Sequence, residues 1–150
     1  MLTPPPTADA ATAVGSFTAR IVIQAECLVA ATNALDFGTP GVLIADVDQT
    51  TTFQVQCTST TAYSVGLDAG TTAGGTTTTR RMTSGAATVD YRMFSDAGRT
   101  INWGNAAGVD TVAGVGNGAA QTYTVYGRVP AQTTPAPNTY TDTVTITVTY

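Results

Sequence analysis

The chain contains no lysine and no histidine, and its single glutamate is Glu26. Six arginines are set against ten acids, for a net charge of −4 over 150 residues. These absences exclude several function classes. Without histidine and lysine, the commonest general bases and Schiff-base formers are missing. Without a basic stripe, nothing neutralises a phosphate backbone, so no nucleic-acid partner is expected. The shortage of Glu and Lys also removes the usual surface helix formers. No apolar run approaches the roughly 18 residues of a membrane-spanning helix. The opening residues MLTPPPTADAATA lack the basic and apolar regions of a signal peptide. If a protein of this sequence is exported, the expectation is that its signal was removed ahead of Met1 or that the numbering starts at a mature or chosen end.

Threonine, valine, alanine and glycine fill the space left by charge, with threonine alone roughly a fifth of the chain. That composition favours strands and turns. Alternating runs follow. Phe17, Ala19, Ile21, Ile23, Ala25 and Cys27 share one face of a long run, interpretable as one strand or as two joined by a bend. Further strands are predicted over 50–57, 62–68, 89–94 and 121–130, with a short one starting at Ile101 and Trp103. The closing TDTVTITVTY puts Val144, Ile146, Val148 and Tyr150 on one face and threonines on the other. Such a strand exposes an edge that another chain can pair with. Residues 70–88 and 104–120 are rich in glycine or threonine and read as loops or a ragged hairpin. The spacing predicts one all-β domain, a Greek-key sandwich, behind a Pro/Ala/Thr-rich arm.

Cys27 and Cys57 each end or closely follow an alternating run. An even cysteine count in a low-charge, threonine-rich chain predicts a disulfide between them; two buried thiols are the alternative. Other candidates are weak. The aspartates at 36, 46, 48, 68, 90, 96, 110 and 142 fall at turns and strand ends, where aspartate commonly bonds backbone. Asp46-x-Asp48 lacks the rest of a calcium loop. Gly114-x-Gly116-x-Gly118 lacks the lysine of a phosphate-binding loop and reads as flexible. Arg80-Arg81 reads as a solvated pair or an intersubunit contact, and Trp103 as core. Tyr126 and Tyr150 read as packed or strand-edge aromatics. No catalytic set, metal site or cofactor is expected.

An ordered series of segments resembles a known family. It runs from Cys27 through LDFG (35–38), FQVQCT (53–58), AYSVGLDAG (62–70), Arg81-Met82, YRMFSDAGRT (91–100), WGN (103–105) and TVYGRVPAQ (124–132) to YTDTVTITVTY (140–150). Over about residues 15–150 this resembles the spore coat protein U-like domain, the pilin domain of archaic chaperone–usher pili. The resemblance implies an immunoglobulin-like sandwich that lacks its last strand. A periplasmic chaperone lends a strand first and grips the terminal carboxylate, here that of Tyr150. At an outer-membrane usher, the N-terminal arm of another subunit then replaces the chaperone strand. The expected acceptor edge is Val144, Ile146, Val148 and Tyr150. The expected donor is Phe17, Ala19, Ile21 and Ile23, within an extension over 1–23 that precedes a pilin domain over 24–150. The function so implied is a major pilin that homopolymerises into an extracellular pilus for surface attachment and biofilm formation. Tip adhesins of such systems typically lack a donor arm, and a spore- or cell-coat protein of the same fold is the further alternative.

Overall fold

The computed structural model describes residues 1–150. Eight strands form: β1 (Cys27–Ala30), β2 (Val47–Cys57), β3 (Ala62–Leu67), β4 (Arg80–Ser84), β5 (Ala87–Phe94), β6 (Val112–Val115), β7 (Ala120–Val129) and β8 (Ile146–Thr149). They make two antiparallel sheets, β1-β2-β7-β5-β4 and β6-β3-β8. The sheets pack face to face as an immunoglobulin-like sandwich. Inward residues alternate along each strand, as the period of two requires: Phe53, Val55 and Cys57 on β2, Tyr63, Val65 and Leu67 on β3, Val89, Tyr91 and Met93 on β5. Phe53 stacks on Tyr123 at 5.7 Å between ring centroids. Trp103 lies against both rings, and its indole N–H donates to the Val65 carbonyl at 2.9 Å. A buried indole needs such a partner, because an unpaired N–H there costs free energy.

Cys27 and Cys57 face each other in the β1–β2 register and form a disulfide, with Cα atoms 4.1 Å apart. By the chain-entropy account, closing a loop of this length contributes about 3–4 kcal/mol. The bridge also fixes the point where the arm leaves the domain. Residues 1–26 form no strand and are exposed throughout. Their first backbone tie to the domain is at Glu26, whose carbonyl accepts from Thr58 N–H at 2.9 Å.

Four expectations need correction. The alternation from Phe17 to Ala25 is no strand within its own subunit; a strand needs a neighbour to pair with, and this domain offers the arm none. The glycine-rich stretch after 104 contains β6. There Gly114 is required by packing, since a Cβ at that position would lie 2.5 Å from both Tyr123 Oη and Tyr63 Cζ. Arg80 is not solvated: it is fully buried, on the inward side of β4, while Arg81 pairs outside with Asp90 at 3.0 Å. The short strand at Ile101–Trp103 is only an isolated bridge between Asn102 and Phe94.

The final strand is also divided. Thr141 bridges Thr83 of β4 in the larger sheet, and only Ile146–Thr149 pairs with β3 in the smaller one. Between them the chain crosses from one sheet toward the other. Asp142 anchors the crossing.

Candidate functional site

Sheet edges direct attention to one seam of the sandwich. β1 has a partner on one side only, β2, and β8 on one side only, β3. The chain leaving β1 and the chain entering β8 diverge, and a cleft of about 520 Å³ lies between them. Residues 32–37 form one lip and residues 139–146 the other. Its floor is core: Phe53 of β2, Leu67 of β3, Met82 of β4, Tyr91 and Met93 of β5, and Val125 of β7.

Local sequence explains each lip. On the first, Leu35 and Phe37 turn inward and are half-buried, while Asp36 between them is exposed. They settle over Gly127 of β7, where a Cβ would come within 2.7 Å of Leu35 Cδ2 and 2.9 Å of Phe37 Cζ. Asn33 N–H donates to the Thr52 carbonyl at 3.3 Å, which keeps this lip beside β2. On the second lip, Val144, Ile146 and Val148 are half-buried against the core and their threonine neighbours face out. Val144 and Ile146 line the cleft; Val148 lies beyond its lining, and Tyr150 is 59% exposed and packs on none of it.

Asp142 closes one end. Its Oδ1 accepts from the N–H groups of Thr71 and Thr72 at 2.9 and 3.1 Å, and its Oδ2 accepts from Tyr91 Oη at 2.7 Å. The Thr71–Thr72 turn reaches the carboxylate because Gly70 carries no Cβ and sits at φ +81°; any side chain there would overlap Asp142. Burial and the Asp142 carboxylate together push the Tyr91 phenol well above its ordinary range, so it remains a donor at all working pH values.

Asp68 pins the start of β8, its Oδ1 accepting from Thr145 N–H and Gly70 N–H, each at 2.9 Å. Burial opposes its charge, but these N–H groups and the nearby Arg80 outweigh it, and the carboxyl is held below the usual carboxylate range. A depressed folded pKa means stabilisation that is complete above the unfolded value and is lost as pH falls through the folded one. The melting temperature is therefore expected to drop as pH falls below about 4. The drop should be shallower in Asp68→Asn, measured by thermal unfolding between neutral and acid pH. An equal slope in both proteins would remove Asp68 from this role.

The arm presents a second apolar feature. Phe17, Ile21 and Ile23 are 94%, 80% and 71% exposed, and Ala19 is exposed with them. They touch no core of their own. Exposed apolar residues in regular alternation have no folding reason within one subunit.

The Spore Coat Protein U domain profile matches residues 13–147, from the arm to within β8. The chain belongs to that family. Within the spore coat protein U family, it is 32% identical over 158 aligned positions to Protein U of Myxococcus xanthus, covering 95% of this chain and 88% of the relative. In fold it is similar to a chain in the crystal structure of the CsuC–CsuE chaperone–tip adhesion subunit pre-assembly complex from archaic chaperone-usher Csu pili of Acinetobacter baumannii. That match has a TM-score of 0.61 and 24% identity, and it covers 85% of this chain but 40% of the solved one. At that identity the likeness establishes the fold.

The spore coat protein U resemblance places the acceptor edge on the last strand alone. The lip formed by Leu35, Asp36 and Phe37 was hidden among turn formers, although its alternation is visible once Gly127 is seen to make room for it. Asp142 was not distinguishable in the sequence from the other turn aspartates, since its partners come from two distant segments, the Thr71–Thr72 turn and Tyr91 of β5.

Proposed function

We propose that this spore coat protein U domain is a structural subunit, the major pilin of an extracellular chaperone–usher pilus that serves surface attachment and biofilm formation. The observation that carries this reading is that one chain holds both halves of a joint. The cleft between residues 32–37 and 139–146 opens onto core residues, and the arm over 13–23 displays an unpaired apolar face. Main-chain pairing along β8, with alternate side chains filling the cleft, is strand addition between copies. A contact of this kind is head-to-tail and does not close, so it builds a filament. In this reading Phe17, Ala19, Ile21 and Ile23 are the donor, and Val144, Ile146 and Val148 the acceptor edge. Tyr150 falls outside the joint.

Before assembly the cleft needs temporary cover. A periplasmic chaperone supplies it and an outer-membrane usher exchanges it for the next arm; the likeness in fold to a chain of the Csu chaperone–tip subunit pre-assembly complex supports the chaperone step. The arm favours a rod subunit over a tip adhesin, because a terminal subunit needs only the acceptor half. A coat protein is the second reading, favoured by the 32% identity to Protein U along nearly the whole chain. It would use the same joint in a different assembly.

Ile21→Asp tests the proposal. A charge in an apolar cleft is left unpaired, and the lost burial alone is worth about 2 kcal/mol. The critical subunit concentration for filament formation is expected to rise by at least about 30-fold. Filaments of normal yield and stability in that variant would show that Ile21 faces elsewhere.

A further inference from the structure

We propose that Arg20 on the arm of one subunit pairs with Asp36 on the cleft lip of the next, and that this pair sets the register of the joint. The inference rests on the strand-addition reading above and adds the position at which the arm stops.

The charges leave little choice. Arg20 lies between Ala19 and Ile21, so it points away from the cleft when those residues point in. It is the only charge between Asp9 and Glu26, and it has no partner in its own subunit. Asp36 lies between the inward Leu35 and Phe37 and likewise faces out. Its Oδ1 accepts from Gly38 N–H at 2.8 Å; its other oxygen is free. The opposite lip and β8 beyond it offer no acidic side chain in competition, because their exposed residues over 139–149 are all threonines, Thr139, Thr141, Thr143, Thr145, Thr147 and Thr149. The inward Asp142 is already occupied by Tyr91 and the Thr71–Thr72 turn. The seam thus has one outward acid, and the arm has one outward base.

Backbone pairing alone does not select a register, since every shift by two residues keeps the apolar face inward. Thr18 or Val22 opposite Asp36 would leave Arg20 only diagonal to it, a weaker geometry for the pair. Arg20 opposite Asp36 brings Ala19 and Ile21 level with Leu35 and Phe37, at the mouth of the cleft. An exposed cross-strand ion pair is a small stabilisation. It acts here as a selector among registers whose apolar burial is similar.

The test uses full-length protein and leaves Asp36 in place, because a variant without it has no pair to select the register. The chain has no lysine of its own, so in assembled Arg20→Lys protein, which keeps the charge, a zero-length carbodiimide is expected to join position 20 of one subunit to Asp36 of the next in a covalent ladder, read by mass spectrometry of the cross-linked peptide, and Asp36→Asn is expected to remove it. A ladder that joins position 20 to another carboxylate overturns the register and leaves the joint standing. Filaments without a ladder also overturn it. Neither filaments nor ladder overturns both the register and the joint. Charge is tested separately: Arg20→Glu filaments should dissociate about two- to five-fold faster in denaturant, with Asp36→Arg added to them restoring the wild-type rate. Failure of that restoration removes the ion pair.

Discussion

Removal of residues 1–23 is expected to abolish filament formation while leaving the subunit folded. The arm is exposed along its whole length, and the first backbone tie, at Glu26, survives the cut. Nothing in the core is lost with it, so the melting temperature should stay within about 2 °C of the full chain. The cleft also stays intact and should still accept a chaperone strand. The loss is confined to the donor half of the joint, and it should be complete: electron microscopy should show no rods where the full chain gives them. A synthetic peptide of residues 13–25 should bind the truncated subunit by filling its cleft. Normal polymerisation of the truncated protein would remove the arm from the mechanism, and the exposed alternation from Phe17 to Ile23 would need another explanation.

Arg80→Ala is expected to cost about 3–5 kcal/mol of stability, because it strands several buried carbonyls at about 1–3 kcal/mol each. Arg80 is fully buried and has no carboxylate in ion-pair contact. It donates to four carbonyls instead: Asp68 at 2.7 Å, Thr77 at 2.8 Å, Leu67 at 2.9 Å and Trp103 at 2.8 Å. Burial pushes the guanidinium below its ordinary value, with Tyr91 and the surrounding aspartates pushing back; it remains charged in any folded protein. One planar group thus ties together the end of β3, the loop before β4 and the segment carrying Trp103. Alanine leaves those carbonyls unsatisfied in a dry interior. Lysine should recover only part of the loss, since an ammonium cannot reproduce the planar fork. Methionine separates packing from hydrogen bonding: it fills the space but donates nothing, so it should be nearly as damaging as alanine. Urea denaturation with an unchanged m-value checks this. A cost below about 1 kcal/mol for alanine would mean that water reaches the carbonyls. The functional consequence follows from Leu67, which both receives the Arg80 bond and floors the cleft. A loosened Arg80 should weaken the acceptor before it unfolds the domain.

The fold was largely legible because alternation is a local property. Strands β2, β3, β5 and β7 announced themselves in the sequence near their observed ends, and so did the paired cysteines. The parts that were not legible depend on distant contacts. Gly114 looks like loop until Tyr63 and Tyr123 are seen to occupy its side-chain space. Arg80 looks solvated beside Arg81, and only the strand's period separates the inward residue from the outward one. The closing strand looked continuous, yet Asp142 is held by Thr71, Thr72 and Tyr91 at the crossing between the sheets. The arm shows the reverse case. Its alternation is plain in the sequence, yet it makes no strand, because nothing in its own subunit pairs with it. Half of the candidate site was therefore readable, namely Val144, Ile146 and Val148 on one side and the arm's apolar face. The other lip, Leu35 to Phe37, became visible only with the fold.

Electron cryomicroscopy of assembled full-length protein tests the central claim most directly. The expected result is density for residues 13–23 of one subunit running between residues 32–37 and 139–146 of the next, hydrogen-bonded along β8. An assembly in which that cleft is empty of chain, or holds the subunit's own arm, would contradict it.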